Sequence, residues 1–133
     1  MKSSKFCFTI CLLLLIIACG KNDDCTEANY NEDFNFLIGD IICLPNNTNL
    51  EITDIVDARC PCEVACIWEG EFIFNVSITK DGLSEDYELH EKIENERPEK
   101  FDFEFVNMAL ISDDTCENPI PLDEMVFQMA VEN

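Results

Sequence analysis

Hydrophobic and polar positions alternate along most of the chain with a period of two, the signature of strands buried on one face. The clearest case places Phe72, Phe74, Val76 and Ile78 on one face against Ile73, Asn75, Ser77 and Thr79 on the other. Asp81-Gly82 follows, a pair that tolerates positive φ and predicts a tight hairpin, with Tyr87 and Leu89 on the returning strand. Upstream, 36–44 is an apolar run closed by Pro45-Asn46-Asn47, and 50–56 is a second. Downstream, Phe101, Phe103 and Phe105 alternate with acidic residues before Val106, Met108 and Leu110 take over the apolar phase. A phase change within one strand predicts a bulge or a bend. Met125, Phe127, Met129 and Val131 form the inward face of a last strand. The charged stretch 93–100, interrupted by Pro98, predicts a loop. No amphipathic helix pattern of useful length and no internal repeat follow the amino-terminal segment. The expectation is therefore an all-β fold: an antiparallel β-sandwich, Ig-like or a small barrel, of about six to seven strands.

The amino terminus has a different pattern. Lys2 and Lys5 precede an apolar run from Phe6 to Ala18, the layout of an export signal. A membrane-spanning helix needs about 20 apolar residues, so the run is short for a permanent anchor. It ends in Leu15-Ile16-Ile17-Ala18-Cys19-Gly20, which resembles a bacterial lipobox. That resemblance implies cleavage after Ala18 and acylation of Cys19. Three acyl chains at about 0.8 kcal/mol per buried CH₂ hold a protein on a membrane effectively permanently. The expected organisation is a signal peptide over 1–18, an acidic tether over 19–35 and one domain over 36–133. Lys21-Asn22-Asp23-Asp24, just behind Cys19, resembles the acidic export signal of surface-displayed Bacteroidota lipoproteins. It implies an outer-membrane protein on the cell surface, with the periplasmic face as the alternative.

Charge narrows the partners. The formal charge is −20, with 28 acidic residues against 8 basic ones, and becomes −22 once Lys2 and Lys5 leave with the signal. Such a surface repels nucleic acid and anionic headgroups. The expected partners are the membrane, through lipid on Cys19, and an envelope protein or glycan.

Of the nine cysteines, Cys7 and Cys11 lie in the signal and Cys19 is the acylation site, leaving Cys25, Cys43, Cys60, Cys62, Cys66 and Cys116. An even number in an exported domain reads as disulfides. Cys60, Cys62 and Cys66 lie in the most distinctive segment, 57–70, where Asp57, Arg59, Cys60, Pro61, Val64, Cys66, Trp68 and Gly70 stand in a characteristic order. The order resembles an Asp-Ser-Arg-Cys-Pro…Val-x-Cys-x-Trp-x-Gly motif of small secreted and lipid-anchored bacterial proteins. Ala58 replaces the usual Ser, and Cys62 is additional. The resemblance implies fold and location and carries no activity.

The segment's chemistry is legible by itself. A Cys60–Cys66 bridge closes a seven-residue loop, removing unfolded-state entropy worth roughly 2.4 kcal/mol. Pro61 stiffens that loop, Trp68 is expected to cover the sulfur bridge, and Gly70 allows a close backbone approach. Arg59, between Asp57 and Glu63, is expected to pair with a carboxylate. With Cys60–Cys66 fixed, three pairings of the other four cysteines remain, and Cys25 is expected to bind Cys43 or Cys62 rather than Cys116.

Four functional classes follow. A lipid-anchored binding or interaction module is favoured, with no cofactor. The first alternative is a copper or zinc site, or a thiol-exchange site, on Cys60, Cys62 and Cys66. The second is a structural or accessory lipoprotein without a ligand. A hydrolase is disfavoured, because His90 is the sole histidine and Ser77 and Ser84 sit in strand and turn. The protein is therefore expected not to be an enzyme. Asp23, Asp24, Asp113 and Asp114 could donate oxygens to calcium but lack the fixed Gly and Glu of a calcium loop. The sequons at Asn46 and Asn75 follow a eukaryotic code and carry no weight in a bacterial protein.

The lipobox generates the first prediction. Radiolabelled palmitate is expected to enter the wild-type protein in a bacterial host and to be absent from Cys19→Ser, which fractionates as a soluble protein. Equal fractionation of the two, with no label in either, would exclude acylation.

Overall fold

A computed structural model of the chain describes residues 24–95, 98–101 and 103–133, except for the side chains at 106 and 107. The export signal, the lipobox with Cys19, and Asp23 lie outside these residues. The described chain forms eight strands: β1 (Thr26–Glu27), β2 (Asp33–Phe36), β3 (Ile41–Leu44), β4 (Thr48–Asp57), β5 (Phe72–Lys80), β6 (Leu83–His90), β7 (Glu104–Leu110) and β8 (Phe127–Glu132). One sheet has the order β1-β3-β4-β5-β6 and the other β2-β8-β7. The expected all-β, sandwich-like architecture is present, with one parallel pairing, β1 with β3, among antiparallel ones.

The alternating side chains meet between the sheets. Phe36 and Phe127 from one sheet pack with Phe72 and Phe74 from the other, all buried. The Phe127 ring lies edge-on to Phe72 at 4.9 Å and to Phe74 at 5.2 Å between centroids. Leu50, Ile52, Ile55 and Ile78 extend this core on the larger sheet, and Met129 and Val131 on the smaller. Each such side chain contributes about 1.5–3 kcal/mol by leaving water.

Local chemistry sets the turns. Asp81 and Gly82 have φ of 51° and 81°, so the β5–β6 hairpin has the expected tight turn. Pro45, Asn46 and Asn47 form a three-residue turn between β3 and β4, with Asn46 and Asn47 at φ of 63° and 54°. In β4 the register shifts between Ile52 and Asp54, so Thr53 is the extra residue of a bulge. The bulge reverses the alternation, turning Ile55 inward and leaving Val56 exposed. A second shift, between Val106 and Ala109, is the irregularity that the phase change in β7 predicts.

Two expectations are corrected. The run 36–44 is not one strand: β2 ends at Phe36, β3 begins at Ile41, and the two belong to different sheets. Between them the Leu37 amide donates to the Asp40 carboxylate at 2.9 Å and Gly39 has φ of 86°, so the chain turns a corner from one layer to the other. The expected tether over 19–35 is folded from Cys25 onward. β1 and most of β2 lie within it, Phe34 is buried, and a Cys25–Cys43 disulfide fixes its start. The acidic composition of this stretch hides a short alternation, Asp33-Phe34-Asn35-Phe36, that belongs to the core.

Phe127→Ala is expected to cost about 3–5 kcal/mol of folding stability. Urea denaturation checks this, and a loss below about 1 kcal/mol would contradict the central place of this ring.

Candidate functional site

β4 and β5 continue as a narrow ribbon beyond the sheet. The Ala58 amide donates to the Glu71 carbonyl at 3.0 Å, and the Cys60 amide to the Glu69 carbonyl at 2.8 Å. Gly70 is needed opposite this ladder: its φ is 75°, and a Cβ there would come within 2.1 Å of the Ala58 carbonyl oxygen. The close approach expected at Gly70 is thus present, and the segment 61–68 is the tip of a wide β4–β5 hairpin.

The tip lies beyond the core, and residues 61–69 are all exposed. Covalent and ionic bonds hold it instead. Cys60–Cys66 closes it internally, as expected from the sequence. Cys62–Cys116 fastens it to the segment between β7 and β8. With its ends separated by 54 positions in sequence, that second bridge restricts the unfolded chain by roughly 4 kcal/mol. The Cys25–Cys43 bond completes the set and is one of the two pairings expected for Cys25.

Arg59 supplies the ionic tie. Its Nε and Nη2 donate to Asp57 Oδ1 and Oδ2 at 2.8 Å and 2.6 Å, and Nη2 also donates to Asp114 Oδ2 at 2.8 Å. Its guanidinium carbon stands 4.3 Å from the centre of the Phe72 ring. The expected carboxylate pairing is present, and the partners are Asp57 and Asp114. Asp114 Oδ1 in turn accepts from the Ile120 amide at 2.7 Å. Arg59 holds the Asp57 carboxyl below its ordinary pKa, and the Ile120 amide, followed by Arg59, does the same for Asp114.

Trp68 departs from expectation. Strand alternation starts only at Phe72, so no strand assigns Trp68 to the face of the bridge, and its side chain is 61 % exposed. It lines a shallow depression with Cys60, Cys66, Ile67 and Glu69. Ile67 is fully exposed at 107 %, and Val64 is 58 % exposed. Three large apolar side chains thus face water on one cross-linked tip.

Next to the tip is a cavity of about 590 Å³, between the hairpin and the β7–β8 connection. The Cys62–Cys116 bridge forms part of its wall, with Pro61, Pro119, Ile120 and Met125, and Arg59, Asp57, Asp114 and Glu69 supply its polar groups. Sequence reading missed this cavity, because Asp114 and Cys116 lie more than fifty residues from Arg59 and Cys62.

The other residues singled out by sequence lie elsewhere. His90 Nδ1 lies 3.1 Å from Glu71 Oε1, and Nε2 lies 3.4 Å from Glu88 Oε1. Burial of Glu71 raises its pKa, but the Lys92 amide, aided by His90, outweighs it and leaves the carboxyl lowered. Ser77 and Ser84 bond across the β5–β6 hairpin at 3.4 Å, several rungs from His90 in the ladder. Cys60, Cys62 and Cys66 are all in disulfides and offer no thiolate in this state. Asp24 and Asp113 are exposed, Asp114 is engaged by Arg59, and no group of three or more His, Cys, Asp or Glu suited to a metal occurs among the described residues. Asn46 sits on the β3–β4 turn and Asn75 within β5. Comparison with family models, curated proteins and solved structures finds no match to this chain.

The Asp57–Arg59–Asp114 cluster generates a pH prediction. A carboxyl whose folded pKa is depressed contributes stability in full above its unfolded value, near 3.8, and loses it as pH falls through the folded value. Asp114→Asn is expected to be less stable than wild type at neutral pH, with a smaller difference at about pH 2–3. Urea denaturation at both pH values measures this, and a constant difference would show that the charge on Asp114 contributes nothing.

Proposed function

We propose that this protein is a lipid-anchored cell-envelope module that recognises another protein through its disulfide-braced loop, on the outer membrane and facing the cell surface. One observation carries the proposal: Val64, Ile67 and Trp68 are exposed on the most heavily cross-linked part of the fold. Large apolar groups in water are a cost unless something covers them. Rigid presentation lowers the entropy lost on binding, and tryptophan is enriched among residues that dominate interfaces. Two β-branched aliphatic neighbours beside the indole suit an apolar pocket on a protein better than a sugar ring, which needs polar groups around the aromatic face.

The position of the loop supports the same reading. Cys19 lies six residues before Cys25, a span of at most about 20 Å. Cys25 is bonded to Cys43, which pairs with Asn49 near the start of β4. From Asn49 to Asp57, β4 rises about 25 Å. Cys25 and the apolar tip are therefore toward opposite ends of the larger sheet, an arrangement that supports presentation of the tip away from the membrane.

A photoreactive residue at position 67 is expected to cross-link one envelope protein in intact cells, whereas one at Glu88 on β6 does not. Ile67→Ser with Trp68→Ala is expected to reduce recovery of that protein at least tenfold while changing folding stability by no more than about 0.5 kcal/mol. Equal cross-linking from both positions, or undiminished recovery with the double variant, would refute recognition through this loop.

A further inference from the structure

We infer that the cavity beside the loop receives a lysine or arginine side chain of the partner protein, while an adjacent apolar residue of that partner rests on Ile67 and Trp68. This inference rests on the recognition role proposed for the loop and specifies its partner. The cavity and the shallow depression share Cys60 and Glu69 on their walls, so one short peptide segment can occupy both. A volume of about 590 Å³ accommodates a long side chain with water.

The lining selects the chemistry. Pro61, Pro119 and Ile120 offer an aliphatic stem apolar contact without donors that it cannot satisfy. At the polar end Asp57, Asp114 and Arg59 together carry one net negative charge, because one guanidinium faces two carboxylates. Arg59 has committed Nε and Nη2 to those carboxylates, and Phe72 covers one face of its guanidinium. Glu69, on the rim, is held by Lys92 at 2.9 Å, but both side chains are substantially exposed. Such a pair contributes little and yields readily to a competing cation.

The surroundings have the same sign. Segments 57–70 and 112–125 contain eight carboxylates, and Arg59 is their one basic residue. An anionic ligand meets net repulsion, because carboxylates outnumber the one guanidinium in the lining. A neutral apolar ligand excludes water from the Asp57 and Asp114 oxygens without replacing the hydrogen bonds it removes, a costly exchange. A basic group with an aliphatic stem meets both demands, and the long-range field of the protein steers it inward.

Two residues report separately on the two parts of the site. Trp68 is the only tryptophan, so its fluorescence follows the tip, and the Met125 methyl resonance follows the cavity. The probes are capped peptides with the sequence Gly-Leu-Lys-Leu-Gly and versions with norleucine or glutamate replacing the lysine, titrated into the disulfide-intact protein. The lysine peptide is expected to shift both signals, to bind about tenfold more tightly than the norleucine peptide at low salt, and to lose that advantage as salt rises. The glutamate peptide is expected not to saturate. A Trp68 response without a Met125 response, or equal affinity for lysine and norleucine, overturns the basic-side-chain assignment and leaves recognition by the loop standing. A Met125 response to the lysine peptide alone, with Trp68 silent, supports the cavity and counts against the apolar tip. No response from either residue to the lysine peptide overturns the inference.

Discussion

The contact of Phe36 and Phe127 in one sheet with Phe72 and Phe74 in the other sets the spacing and alignment of the two layers. Phe72 is also the first residue of β5 and lies against the Arg59 guanidinium, so the edge of the core supports the ionic cluster of the candidate site. Beyond Phe72 the β4–β5 hairpin leaves the sandwich, and there is no apolar interior to hold it. A domain of this size has little core to spare, and the chain uses disulfides and a three-member ionic cluster where packing stops. Exposure and rigidity of the loop thus have one cause. It lies outside the hydrophobic layers and is fixed by bonds that water does not weaken as it weakens a lone surface ion pair.

Charge complements this arrangement. β6 is an edge strand of the larger sheet, and Glu85, Asp86 and Glu88 along it oppose pairing with another chain. The net charge of −20 extends that repulsion over the whole surface and opposes self-association. Against this acidic field Val64, Ile67 and Trp68 are the three most exposed large apolar side chains among the described residues.

Much of the fold is legible in the sequence where physics is local. The alternation in β5 and β8, the Asp81-Gly82 turn and the irregularity in β7 each depend on neighbouring residues, and each is found where the pattern predicts. The separation of β2 from β3 was less visible, because a continuous apolar run looks the same whether it lies in one layer or crosses between two. Gly39 and Asp40 were the available signal. For the loop, spacing indicated the Cys60–Cys66 bridge and the need for Gly70. Asp114 and Cys116 became partners of Arg59 and Cys62 only through the tertiary fold, which brings the β7–β8 connection beside the hairpin. Trp68 stands four residues ahead of β5, outside the alternation that assigns a side chain to a face, so the local pattern leaves its exposure open.

The Cys25–Cys43 bond joins the beginning of the described residues to β3, next to the two-residue strand β1. Under the proposed anchoring, drag on the protein or tension on a captured partner is transmitted through residue 25. The load then passes by a covalent route into β3, and the few hydrogen bonds of β1 need not bear it. Unpeeling from the amino end, the cheapest mechanical failure for a tethered β protein, is thereby blocked while the sulfur link remains oxidised. Reduction would convert a strong mooring into a weak one without touching the core.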